Sequence, residues 1–133
     1  MIESHVPSLE ACKKLQEAGW KKETLFLRST EFEWKVITRE EYEEFSDYAG
    51  AAGMPSGGSV EQFVEAPLLS EILEELPHTV PNSHFSVLKN DDEVCFYYAD
   101  SDDHHEMRYW GTHKNPAEAA ALLWLALKGE GLI

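Results

Sequence analysis

Apolar residues recur along the chain with two spacings, one helical and one alternating, and together they predict four helices and five strands. Helical spacing covers the segments Leu9–Ala18, Thr38–Tyr48, Ala66–Leu76 and Pro116–Lys128. Ser8 is a suitable N-cap for the first helix and Gly19 a suitable stop. Thr38 and Glu41 form a capping box before the second helix.

The most strongly apolar segment is the last predicted helix. Asn115 suits the N-cap, Pro116 suits the first helical position, and Glu118 is placed to reach back toward the unpaired amides. Gly129 is predicted to take the left-handed conformation that ends the helix. Every residue from Ala117 to Ala126 except Glu118 is apolar. This helix must therefore be covered on more than one side, and we expect it to be central to the core.

Alternating apolar and polar residues predict strands in two groups. The first group is a hairpin of Thr24–Arg28 and Phe32–Val36, with the large apolar residues of the second strand on one side. The second group is an antiparallel meander of Phe85–Lys89, Val94–Ala99 and Met107–Thr112, because the connections are too short to hold helices. This order predicts an α+β fold, with a mostly antiparallel sheet of about five strands packed against helices.

The chain of 133 residues predicts a single domain, residues 1–133, that is large enough to bury a core. Residues 50–59 contain four of the eight glycines and are expected to form a flexible loop. A tolerated insertion, a lid and a binding loop are all compatible with that composition.

The net charge of −14 is the outstanding feature of the composition. It argues against direct binding to nucleic acid, which needs clustered Lys and Arg, and against docking on an anionic membrane. The charge is concentrated in residues 31–80, which carry twelve acidic and two basic side chains. Solvated helix faces explain this excess, and the alternative is a surface that mimics nucleic acid or binds a basic partner.

Cysteine use and the absence of targeting signals favour a cytosolic location. Cys12 and Cys95 lie far apart in apolar patterns and match neither a disulfide framework nor zinc-ligand spacing. The opening Met1–Pro7 lacks a basic region followed by an apolar run, so no signal peptide is predicted. The apolar run in the last helix is too short to cross a bilayer.

The densest group of potential metal ligands is the run Asp100-Ser101-Asp102-Asp103-His104-His105-Glu106, followed by His113. Carboxylates and imidazoles bind divalent metals, but the spacing matches neither a helical His pair nor a calcium loop. A solvated turn explains the run. The alternative is a metal-dependent hydrolase that uses Asp100, Asp102, His104 and His105.

The candidate nucleophiles lack the surroundings that would activate them. Ser70, Ser83 and Ser86 do not lie in a Gly-x-Ser-x-Gly elbow, and Cys95 is expected to be a core residue. The segment Gly57-Gly58-Ser59 lacks the lysine of a phosphate-binding loop. We therefore assign no catalytic, cofactor-binding or metal-binding residue, and we expect no cofactor.

Aromatic residues are the remaining candidates for a functional surface. The four tryptophans are spread along the chain and three tyrosines lie on adjacent predicted strands: Trp20, Trp34, Trp110, Trp124, Tyr97, Tyr98 and Tyr109. They are expected to fill the core and one face of the sheet. If helices leave one face of the meander uncovered, its Tyr and Trp side chains would form a surface for a partner.

Three helical segments resemble small uncharacterised proteins encoded by bacteriophages and prophages, of the type with an α-β-α sandwich domain. These segments are Ser8–Trp20, Ala66–Pro77 and Asn115–Leu132. The resemblance implies an accessory phage-type protein without an established activity, in which residues 50–59 are an addition to the common pattern.

Together, the residues and the resemblance predict a non-enzymatic α+β protein of phage or prophage type in the cytosol of a bacterial host. It is expected to act by binding another protein. A second copy of the chain is one alternative partner, because self-association would cover the apolar last helix. The other hypotheses are an acidic decoy that mimics nucleic acid and a metal-dependent hydrolase.

Overall fold

The computed structural model describes residues 5–32, 34–44, 62–103 and 106–133. In chain order the elements are α1 (Leu9–Glu17), β1 (Phe26–Ser29), β2 (Val36–Thr38), α2 (residues 39–44), β3 (Phe63–Glu65), α3 (Leu69–Glu75), β4 (Ser83–Lys89), β5 (Val94–Asp100), β6 (Met107–His113) and α4 (Pro116–Gly129). The predicted α+β class is confirmed. Two antiparallel three-stranded sheets replace the predicted sheet of about five strands, and the predicted loop at 50–59 lies outside the described residues.

The first sheet has the strand order β2-β1-β3. The predicted hairpin is present, because β1 pairs with β2 through Leu27 and Ile37. However, β2 begins at Val36 and not at Phe32. The strand β3, which pairs with the other edge of β1, is absent from the prediction. A strand of 3 residues is too short to show an alternating pattern in the sequence.

The connection between β1 and β2 exposes two aromatic side chains that the alternating pattern predicts to face one side of a strand. Phe32 is 44% exposed and Trp34 is 70% exposed, and their ring centroids are 5.8 Å apart. The Ser29 hydroxyl accepts hydrogen bonds from the backbone amides of Glu31 and Phe32, both at 3.1 Å. The prediction of a strand here is wrong because the turn formed by Ser29 competes with strand pairing.

The second sheet has the strand order β4-β5-β6 and confirms the predicted meander. On one of its faces, Phe96 of β5 lies between Val87 of β4 and Gly111 of β6. Tyr98 shares this face, since side chains alternate along a strand. A register shift between Tyr98 and Ala99 marks a β-bulge near the start of β6.

Helix α4 packs directly on this face of the second sheet. A Cβ atom placed on Gly111 would lie 2.0 Å from the carbonyl oxygen of Ala119 and 2.6 Å from the amide nitrogen of Leu123. Only glycine therefore allows the helix backbone to rest on β6. Helices α1 and α3 also contact α4, and Trp124 of α4 meets Trp20 edge to face at 5.4 Å. The last helix is central to the core, as predicted, and is covered within the chain.

The two ends of α4 agree with the prediction at the start and differ from it at the stop. The Asn115 side chain accepts a hydrogen bond from the Ala117 amide at 2.9 Å, and Pro116 occupies the first turn. The predicted stop at Gly129 is wrong, because the helix includes that residue and Gly131 takes the left-handed conformation with φ of 73°. None of the described helices, α4 included, is long and apolar enough to cross a membrane.

Glu118 connects α4 to the start of α1. Its carboxylate accepts hydrogen bonds from the Ser8 amide at 2.5 Å and from the Ser8 hydroxyl at 2.9 Å. This contact replaces the predicted reach of Glu118 toward the first turn of its own helix. Two neighbouring carbonyls are also bound, since Asn115 donates to Val6 at 2.9 Å and Arg28 donates to Pro7 at 2.6 Å. The segment before α1 is thereby fixed to both α4 and β1.

Local hydrogen bonds also determine where the other helices begin. Helix α1 is capped by Ser8, as predicted. Helix α3 begins at Leu69 and not at Ala66, because the Glu71 carboxylate accepts a hydrogen bond from the amide of Leu68 at 2.7 Å. Such a contact places Leu68 at the N-cap position.

Replacing Gly111 with alanine should lower the free energy of unfolding by about 2–3 kcal/mol, because the added methyl group overlaps the backbone of α4. Gly129→Ala is the matched control, because no atom lies within 4 Å of its added Cβ. That change should be neutral or stabilising by roughly 0.5–1 kcal/mol. Urea unfolding followed by tryptophan fluorescence measures both values. Equal stability of Gly111→Ala and the wild type would contradict the close packing.

Replacing Glu118 with alanine should cost about 1–3 kcal/mol of stability, because the Ser8 amide and hydroxyl lose their acceptor. Glu118→Gln should cost less, since its amide oxygen still accepts one hydrogen bond. The exposed Glu17 of α1 is the control position, where alanine should change stability by less than about 0.5 kcal/mol. The same urea titration decides, and a Glu118→Ala protein as stable as Glu17→Ala would exclude the proposed link.

Candidate functional site

The two cysteines are buried. Cys12 in α1 is 1% exposed, and its thiol donates to the Pro7 carbonyl at 3.6 Å. Burial raises the pKa of Cys12 to about 12, although the nearby Arg28 guanidinium acts in the opposite direction. The thiolate of Cys12 is therefore scarcely populated near neutral pH, and the thiolate is the nucleophilic form. Cys95 on β5 is 7% exposed.

Part of the predicted metal-ligand run forms a hydrogen-bonded turn after β5. One carboxylate oxygen of Asp100 accepts from the backbone amides of Asp102 at 2.8 Å and Asp103 at 3.1 Å, which is a bonding pattern typical of turns. His104 and His105 lie outside the described residues. Within the part of the chain that the structure describes, no group of three His, Cys, Asp or Glu side chains could hold a metal ion.

Two other polar candidates have contacts that support the fold. The Ser83 hydroxyl, at the start of β4, donates to the Pro81 carbonyl at 3.3 Å and accepts from Arg108 at 3.4 Å. The Nδ1 atom of His113, at the end of β6, accepts from the Asn115 amide at 3.0 Å. Both side chains therefore fix connections between elements.

Several carboxylates of the acidic stretch 31–80 pair with cations of the same chain. Glu65 pairs with Arg39. Glu74 and Glu75 pair with Lys22 at 2.9 and 3.1 Å, and these two contacts raise the pKa of the lysine. Part of the negative charge of this stretch is therefore balanced locally.

One face of the second sheet has no covering element among the described residues. We define the open face as two rows of side chains across the three strands, Ser86–Tyr97–Trp110 and Leu88–Cys95–Thr112. The residues of a row lie opposite one another in the antiparallel register and share a face. Because Phe96 and Gly111 face α4, the alternation along the strands places the open face on the other side of the sheet.

The large apolar side chains of the open face are accessible. Trp110 is 54% exposed and Leu88 is 52% exposed, while Tyr97 is half-buried. None of these three described side chains belongs to a hydrophobic core cluster or packs against one. The open face is thus an apolar strip with an indole on one edge strand, a phenol ring in the centre and a leucine on the other edge.

The tryptophans divide between the core and the surface. Trp20 and Trp124 are buried as predicted, whereas Trp34 and Trp110 are exposed. A sequence signal for the open face exists in β5, where every residue from Val94 to Ala99 is apolar or aromatic. Such a run is typical of a strand that is buried on both faces. Cys95 and Ala99, on the side of the open face, are only 7% and 0% exposed, although no described helix packs on that side.

Acidic turns lie at both ends of the open face. Asp91, Asp92 and Glu93 are exposed in the turn between β4 and β5. Asp102 and Glu106 are exposed in the connection between β5 and β6. The open face therefore combines an apolar middle with negatively charged ends.

A second apolar feature lies beside the end of α3. A cavity of about 200 Å³ is lined by Leu73, Leu76, Pro77, His78, Phe85 and Tyr98. The Tyr98 hydroxyl donates to the Pro77 carbonyl at 2.6 Å, and burial raises its pKa. The phenol is therefore neutral near pH 7, and its hydroxyl is already bonded to Pro77. The cavity thus offers chiefly apolar contacts to a ligand.

Cys12 should resist alkylation by iodoacetamide in the folded protein and react once urea unfolds it, because its thiolate is both rare and buried. Mass spectrometry of labelled peptides measures the rate of alkylation. Labelling of native Cys12 at the rate of a free thiol would contradict its burial.

The same burial makes stability depend on pH. The pKa of Cys12 in the folded protein lies above the ordinary 9.0. The neutral thiol therefore favours folding below pH 9, and this stabilisation is lost as the pH rises toward 12.

Comparisons with protein-family models, curated proteins and solved structures find no match for this chain. Function is therefore inferred from the surfaces of the chain itself, and the open face is the surface with the largest exposed aromatic side chain of the second sheet.

Proposed function

We propose that this chain is a non-enzymatic protein-binding module and that the open face is its contact surface. The observation that carries the proposal is the exposed indole of Trp110 beside Tyr97, on a sheet face that no described element covers. Tryptophan and tyrosine are enriched among the residues that dominate binding free energy at interfaces. Their position on regular strands, backed by α4, holds them in place before a partner arrives.

The apolar side chains of the open face would supply only part of the binding free energy of a complex. Fully burying a large apolar side chain is worth about 1.5–3 kcal/mol. Trp110 and Leu88 are each about half exposed, so together they would contribute about 2–3 kcal/mol. A micromolar complex needs about 8 kcal/mol. Further contacts around the two anchors, including contacts to the acidic turns, must therefore provide the difference.

Phage or prophage origin, with action in the cytosol of a bacterial host, is the second part of the proposal. The resemblance of three helical segments, Ser8–Trp20, Ala66–Pro77 and Asn115–Leu132, supports it. The neighbouring genes provide a direct test. Phage genes on both sides would support this origin, and conserved host metabolic genes on both sides would count against it.

The two alternative functions have less support. A mimic of nucleic acid needs a row of free carboxylates, whereas Glu65, Glu74 and Glu75 pair with cations of the same chain. A metal-dependent hydrolase would use Asp100 as a ligand, whereas this carboxylate already accepts two backbone amides.

A photo-crosslinking amino acid at Thr112 on the open face should capture a partner protein in cells. The same amino acid at Lys13, an exposed position on α1, should not capture that protein. Trp110→Ser should reduce the captured amount about tenfold or more, as expected for an aromatic anchor. Trp34→Ser removes an indole that is 70% exposed on another surface and is the matched control. Mass spectrometry identifies and quantifies the crosslinked products.

Equal capture at Thr112 and Lys13, or capture that survives Trp110→Ser, would exclude the open face as the contact surface. Capture of a second copy of the chain at Thr112 would support the binding role and identify the partner as the chain itself. Trp110 is more than half exposed, so its replacement by serine is compatible with folding, which the urea titration verifies.

A further inference from the structure

The open face and its acidic ends point to a partner of defined chemistry. We propose that the partner presents an amphipathic α-helix with an apolar stripe and with Lys or Arg near both ends. This proposal rests on the protein-binding role proposed above. It specifies, in addition, the secondary structure and the charge of the partner segment.

The open face has the length of a short helix. Each strand of the second sheet has 7 residues, so the face extends about 20 Å between its two ends. On the other side of the same sheet, α4 has 14 residues and is about 21 Å long. A partner helix of similar length would match the open face and complete a helix–sheet–helix arrangement.

A helix covers the open face better than an added strand does. A strand that paired with the edge of β4 or β6 would extend the sheet sideways. It would leave Tyr97, which lies on the central strand, without a contact. A helix laid over the face reaches the central strand, and its apolar stripe can contact Trp110 and Leu88 on either side.

The end of the open face at the β4–β5 turn is weakly acidic. Its acidic side chains Asp91, Asp92 and Glu93 outnumber the lysines Lys89 and Lys114. A single cation on the partner helix would balance this end.

The opposite end of the open face is also acidic. Asp102 and Glu106 are exposed in the β5–β6 connection, and Arg108 is the cation beside them. Since opposite charges steer a docked segment, a cation near the second end of the partner helix should lie over this connection.

A second copy of the chain fits the open face less well. Two open faces packed together would bring the acidic turns of both copies close to each other, and the chain has a net charge of −14. Like charges across an interface disfavour association. In addition, α4 needs no cover from another copy, because Trp124 is only 6% exposed within the chain.

A designed peptide tests this inference. The probe is a helical peptide of about 14 residues, with leucines at helical spacing and one lysine in each terminal turn. It should bind the full chain saturably in calorimetry. Trp110→Ser should weaken binding about tenfold or more, and Trp34→Ser should leave it unchanged.

Charge variants test the two ends separately. Asp102→Asn with Glu106→Gln should weaken binding about threefold at low salt, and the loss should nearly disappear in about 1 M salt. Asp91→Asn with Asp92→Asn should weaken binding by a similar factor and with the same dependence on salt. Both pairs leave Asp100 in place, because its carboxylate bonds the turn.

Two control peptides and one measurement of size complete the design. Equal affinity for a peptide with glutamates in place of the lysines would overturn the basic partner. Equal affinity for a scrambled peptide without the stripe would overturn the amphipathic helix. A dimer of the wild type that Trp110→Ser dissociates in sedimentation would also overturn this partner. In each case, capture at Thr112 would still report separately on the proposed binding role.

Discussion

The backbone of α4 lies against Gly111 at a distance that no other residue type allows. A Cβ at this position would meet the Ala119 carbonyl oxygen at 2.0 Å. This approach fixes the helix on one face of the second sheet, and α1 and α3 then pack on the helix. The same contact explains the open face, because α4 can cover only one side of a sheet. Core packing and the exposure of Trp110 are thus two results of one constraint.

Polar groups join the two hydrophobic parts of the molecule. One core cluster surrounds α4, and a smaller cluster containing Val6 and Cys12 lies against the first sheet. Glu118 and Arg28 bind the segment that runs between them. Among the described residues, no buried side-chain nitrogen or oxygen lacks a hydrogen-bond partner. The polar side chains at this junction are therefore hydrogen-bonded, as buried polar groups must be.

The sequence predicts those parts of the fold that depend on local signals. The meander and the start of α4 follow from alternation and from the Asn115 cap, and both are confirmed. Contacts between distant residues have no local signal. The bond from Glu118 to Ser8 is one example, and the division of the strands into two sheets is another. The sequence predicts the open face only conditionally, for the case that helices leave one face of the meander uncovered. Which face is exposed depends on where α4 packs.

The contact between Ser8 and Glu118 spans 110 positions of the chain, and this separation affects the order of folding. Closing a long loop has an entropic cost that precedes any gain from the contact, and long-range contacts slow folding. Helix α1 can form locally, but the amide of Ser8 finds its acceptor only after α4 has been synthesised and packed. The contact between the first and last helices therefore forms late in folding, after the elements that lie between them in the chain have been synthesised.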